Sequence, residues 1–204
     1  MKTIKKLGYV LLAIIGLVLY LGFKELNKEA RKEKIENLTD KIIQNTQVLP
    51  EYAQYQIGNS SFRIKSPFPL IKSSLTLPEA YKERIEEMEV FEFKENSYFH
   101  GKLTYVKWIT GINYNLDAGM DGAMENIRKL PGVEKVMDDR NYFENSKIQS
   151  YFYEAIMLRD QKSAVFKGAI LKSGRETLQI IFEPVESDKE DIINKILDSL
   201  KETV

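Results

Sequence analysis

The chain has no cysteine, a single histidine, and no excess of either charge: 30 Lys+Arg stand against 30 Asp+Glu in 204 residues. Without cysteine there is no disulfide, thiolate metal site, catalytic thiol or lipid anchored on sulfur. One histidine excludes a multi-histidine metal centre and leaves His100 as the one candidate imidazole base. A bulk charge of zero speaks against nucleic acid as a partner. No Gly-x-Ser-x-Gly elbow, phosphate-binding glycine loop or calcium-loop spacing occurs; Gly119-x-x-Gly122 lacks the lysine and the leading strand of a P-loop. No cofactor is expected.

The apolar residues are spread unevenly. Residues 7–23, LGYVLLAIIGLVLYLGF, carry no charge and no Asn, Gln, Ser or Thr. As a helix these 17 residues span roughly 25 Å, within the range of a membrane-crossing segment. Tyr9 and Tyr20 suit the two interfaces, and Lys6 and Lys24 can snorkel. A cleaved signal peptide is the competing reading. The run is longer than such a peptide needs, and Tyr20 before Gly22 and Lys28 before Ala30 make poor cleavage sites. The expectation is a basic tail (1–6), a retained signal-anchor (7–23), a charged helical stalk (24–50) and an extracytoplasmic domain (51–204). The expected partners are the lipid bilayer, through 7–23, and a second envelope protein. Lysines on both flanks leave local charge counting undecided about orientation; the short basic tail favours export of the chain beyond residue 23. Removing residues 1–23 takes away three lysines, which leaves 27 basic against 30 acidic residues.

From residue 52 short apolar alternations dominate. SFRIK (61–65) reads as a strand broken by Pro67 and Pro69. Pro78 opens a helical turn that passes into a strand over Met88–Phe93. LTYVKWI (103–109) is a strand. Asn115–Leu130 is a helix, with Met120, Met124, Ile127 and Leu130 at helical spacing, Gly119 and Gly122 weakening its start, and Pro131-Gly132 stopping it. Residues 133–143 form a strand with a turn at Asp138-Asp139. A meander comes next, over 148–158, 164–171 and 177–182, turning at RDQK and KSGR, where Gly174 supplies a positive φ. A last helix presents Ile192, Ile193, Ile196, Leu197 and Leu200, with Ser187 and Glu190 as a capping box. The fold class is α+β: an antiparallel sheet covered by helices.

SFRIKSPFPL resembles the entry strand and proline bend of PsbP-like domains. FKGAILKSGRETLQIIFE with IINKILDSLK is similar to their closing hairpin and final helix. The resemblance covers about residues 55–203. It implies an α/β/α sandwich and a non-enzymatic accessory or binding role, and it assigns no functional residue. The lipobox cysteine of lipoprotein members is missing, and the N-terminal anchor would replace it.

The adjacent acids Glu86-Glu87, Asp138-Asp139 and Asp188/Glu190/Asp191 read as structural, because neighbours on a strand point to opposite faces and acids suit a helix start. The candidate ligand residues are aromatic, with His100 beside them: Trp108, Tyr151 and Tyr153, which can line a groove or serve as core under a helix. The alternative function is an envelope-associated hydrolase using His100 or a carboxylate.

Overall fold

The computed structural model describes residues 51–74, 79–93, 100–159, 161–183, 185 and 189–202. The expected tail, anchor and stalk lie outside them, as do Pro78 and Ser187. No helix among the described residues is long and apolar enough to cross a membrane.

The described chain runs β1 (Ala53–Gln56), β2 (Arg63–Ser66), β3 (Leu70–Ser73), α1 (Glu79–Lys82), β4 (Ile85–Phe93), β5 (His100–Trp108), α2 (Leu116–Arg128), β6 (Val133–Glu144), β7 (Gln149–Arg159), β8 (Lys162–Ser173), β9 (Glu176–Glu183) and α3 (Glu190–Ser199), closing in a 3-10 turn, Leu200–Glu202. β1 and β2 form a separate hairpin. The other strands make one antiparallel sheet in the order β3-β4-β5-β9-β8-β7-β6. The meander β6 to β9 ends by pairing β9 with β5, which places β5 and β9 inside the sheet. The β8–β9 turn has two residues, with Gly174 at φ +55 in its first position, where a tight hairpin needs a left-handed residue.

Both faces are covered, as strands apolar on both sides require. On β9, Leu178, Ile180 and Phe182 face α3 and the β1–β2 hairpin, together with Leu103, Tyr105, Ala169 and Leu171. Ile181 looks the other way, into a cluster with Trp108, Tyr153, Phe166 and the α2 residues Leu116, Met120, Ala123, Met124 and Ile127. The helix stripes read from the sequence bury as expected. Asn115 caps α2, its side-chain oxygen accepting from the Ala118 N–H at 2.9 Å. Gly119 has a packing reason: the Tyr114 hydroxyl stands 1.6 Å from where a Cβ would be. Glycine there lets Tyr114 stack on Trp108 beneath the helix, with ring centroids 5.5 Å apart.

Two expectations are corrected. Asp138 and Asp139 make no turn: β6 passes straight through them for twelve residues. Asp138 is held on one face by Arg128 and Arg140, while Asp139 points out on the other, and an edge strand tolerates both. Glu190 closes no capping box. It is the first residue of α3, the N-cap position is Lys189, and Glu190 instead pairs with Lys167. The β1–β2 hairpin and the short edge strand β3 add two elements to the reading of 51–74.

Candidate functional site

The four residues singled out in the sequence share one face of the sheet, but they do not form one site. Trp108 is fully buried, and its Nε1–H donates to Thr177 Oγ1 at 3.2 Å. Tyr153 is buried on the same face; its hydroxyl stands 2.5 Å from where a Cβ on Gly168 would be, and burial raises its pKa. Tyr151 is half-buried nearer the edge, donates to Asp117 at 2.7 Å and leans on Tyr142. Trp108 and Tyr153 are thus core under α2. His100 begins β5, exposed, opposite Glu183 on β9 in the strand register.

Glu183 is unusual. Its Oε2 is shielded from solvent and has no hydrogen-bond partner among the described residues. Burial pushes its pKa up to about 7, against the lowering effect of Lys102 on the same face. Lys102 is itself paired with Glu92 at 3.1 Å.

An open groove of about 580 Å³ lies on the opposite face, between α3 and strands β6–β7. It exists because α3 packs over β8 and the hairpin, and stops short of the sheet edge. Its floor is Met137, Phe152, Ile156 and Leu197; Met137 is 48% and Ile156 37% exposed, high for large apolar side chains. Its helix side is built around Lys167, only 9% exposed, whose Nζ reaches Glu190 at 2.5 Å, Glu154 at 2.9 Å and Asn194 Oδ1 at 3.3 Å. Burial alone would lower the Lys167 pKa; the hydrogen bonds it donates to Glu190 and Glu154 outweigh it and hold the group above its usual value. The same contact draws Glu190 below the usual carboxylate range. At the far end Lys201 lies 4.7 Å over the Phe152 ring and pairs with Asp198 at 2.7 Å. Among the described residues, Asp139 is the lining carboxylate with no hydrogen-bond or ion-pair partner.

Apart from Asp139, the lining charges are tied in pairs around an apolar strip, an arrangement that can receive an amphipathic ligand or a protein segment. Among the described residues no group of three His, Asp or Glu could hold a metal ion. The sequence reading missed the groove because its floor comes from the outward side of β6 and β7, where Met137, Phe152 and Ile156 alternate with charges. The one available signal was that alternation, apolar residues recurring on the face turned away from Tyr151 and Tyr153.

No protein-family model matches the chain, and no curated protein matches it in sequence. Solved structures do. The solution structure of cyanobacterial PsbP from Synechocystis is similar over 78% of this chain and 94% of its own, with a TM-score of 0.51 at 8% identity. A Pseudomonas aeruginosa protein of unknown function aligns over 71% of this chain and 90% of its own, with a TM-score of 0.35 at 9% identity. An antiparallel sheet flanked by two main helices, superposable on the cyanobacterial protein over most of both chains, gives this chain a PsbP-like fold.

Proposed function

We propose that the chain is a membrane-anchored, extracytoplasmic accessory protein that acts by binding another envelope protein and not by catalysis. The observation that carries this reading is the groove: solvent-facing Met137 and Ile156 in a concave strip, framed by ion pairs that fix its shape. Exposed apolar surface with a polar rim is what a partner covers. The anchor rests on the uncharged run 7–23 and the lysines before it.

Two measurements test the proposal. Tagged full-length chain, recovered from detergent-solubilised membranes, retains one reproducible partner protein, and Ile156→Asp reduces that recovery by about tenfold with an unchanged far-ultraviolet spectrum. Equal recovery by both chains, or no partner for either, overturns the binding reading. Protease added to spheroplasts degrades residues 51–204; full protection overturns the extracytoplasmic placement.

The second reading, an envelope-associated hydrolase, is favoured by one observation: His100 and Glu183 stand opposite each other on adjacent strands. Residues so placed bring their Cβ atoms to about 5 Å, and Glu183 is held near neutrality. Any hydrolysis of envelope material that survives His100→Ala and Glu183→Gln removes this reading.

A further inference from the structure

The sheet ends in two unlike edges. β3 is four residues long and comes directly after Pro69; β6 is twelve residues long, has no proline and, among the described residues, has no strand on its outer side. Long open edges are normally blunted, because they template pairing with another chain. β6 has a different character. From Lys135 onward its register with β7 is unbroken, so Lys135, Met137 and Asp139 project in succession from the groove face. All three are exposed. Among the described residues the side chains of Lys135 and Asp139 have no hydrogen-bond or ion-pair partner, whereas those of Asp138 and Arg140 on the other face are tied to each other, to Arg128 and to Asp121. Two free, opposite charges therefore stand two residues either side of an exposed methionine.

Such a strand is complementary to itself when run antiparallel. Centred on Met137, it places Lys135 opposite Asp139 of a second copy and Asp139 opposite its Lys135, with methionine against methionine between them. Centring on Asp138 or Asp139 would set two aspartates face to face, and centring on Arg140 two arginines, each unfavourable directly across a strand pair. We propose that β6 pairs with β6 of a second copy about a two-fold axis at Met137, joining two seven-stranded sheets into one. The contact is isologous, so it closes at two copies instead of propagating. The axis runs through the sheet, so both grooves open on the same face, side by side. The pairing goes beyond the binding reading and does not rest on it.

The absence of cysteine makes the test clean. In the full-length chain in detergent, Met137→Cys puts one thiol at the axis, with Cα atoms about 4.5–5.5 Å apart across the pair, inside disulfide range. Tyr142→Cys on the same strand lies roughly 30 Å from its copy. Mild oxidation should convert most of the Met137→Cys chain to a covalent dimer and leave Tyr142→Cys monomeric. Light scattering should give a protein mass twice 23.7 kDa for the unmodified chain. Lys135→Asp alone and Asp139→Lys alone should each weaken the dimer by about tenfold or more, and the two together should restore it. Equal cross-linking from 137 and 142, single reversals that dimerise as well as the unmodified chain, or a double exchange that fails to restore the dimer overturns the proposal. None of these readouts depends on partner capture through Ile156.

Discussion

Trp108→Ala lowers the unfolding free energy by about 3–5 kcal/mol, the largest loss expected from any single truncation in this domain. Three contributions add at this position. The side chain is wholly shielded from solvent, between the sheet and α2. Its indole stacks on Tyr114 with planes 14° apart, an arrangement worth about 1 kcal/mol beyond area burial. Its Nε1–H satisfies Thr177 Oγ1, a buried hydroxyl on β9. Small domains keep only about 5–15 kcal/mol of net stability, so the variant should unfold at a much lower urea midpoint or fail to accumulate. Trp108→Phe keeps a smaller aromatic ring and loses the donor, and should cost roughly half as much or less. Urea unfolding followed by circular dichroism measures both, since the chain's only tryptophan is gone from each variant. A loss under about 1 kcal/mol in the alanine variant would contradict the packing described.

Glu183→Gln changes the pH dependence of stability. The Glu183 carboxyl has a folded-state pKa raised to about 7 by burial. A raised pKa means the folded protein holds the proton more tightly than the unfolded chain does. The stability from that proton is complete below the ordinary carboxylate range and is lost as pH rises through about 7. The size of the shift corresponds to about 3 kcal/mol. The unmodified domain should therefore lose stability between about pH 5 and pH 8 relative to Glu183→Gln, whose amide carries no charge at either pH. His100 lies on the same face and is present in both chains, so the difference between them isolates the carboxyl. Parallel stability curves for the two chains would show that Glu183 is solvated and ordinary.

Much of the fold was legible in the sequence, for identifiable reasons. The meander and both main helices have strong periodicity: Leu178, Ile180 and Phe182 alternate with Thr177 and Gln179, and Ile192, Ile193, Ile196 and Leu197 recur at helical spacing. Gly174 marked its turn through the positive φ that it adopts. Local signals failed where tertiary contacts decide. Asp138-Asp139 resembles a turn until Arg128, ten residues before Asp138, is seen to hold it in a strand. Glu190 resembles half of a capping box until Lys167, on β8, claims it. The site was less legible still. Trp108 and Tyr153 have the chemistry of ligand contacts and are used as core, while Met137 and Ile156 have the chemistry of core and face solvent. Which side of a strand is wet depends on where α3 ends over the sheet, and no residue of β6 or β7 encodes that by itself.

The groove beside α3 is the proposed site at which this protein meets its partner. Site-specific photo-cross-linking in intact cells tests it most directly, with the reactive side chain at position 156 in the groove floor and, for comparison, at the exposed Glu79 on α1. Position 156 should give an adduct of defined mass to a different protein, and position 79 should give none. No such adduct from 156, or the same adducts from both positions, would contradict it.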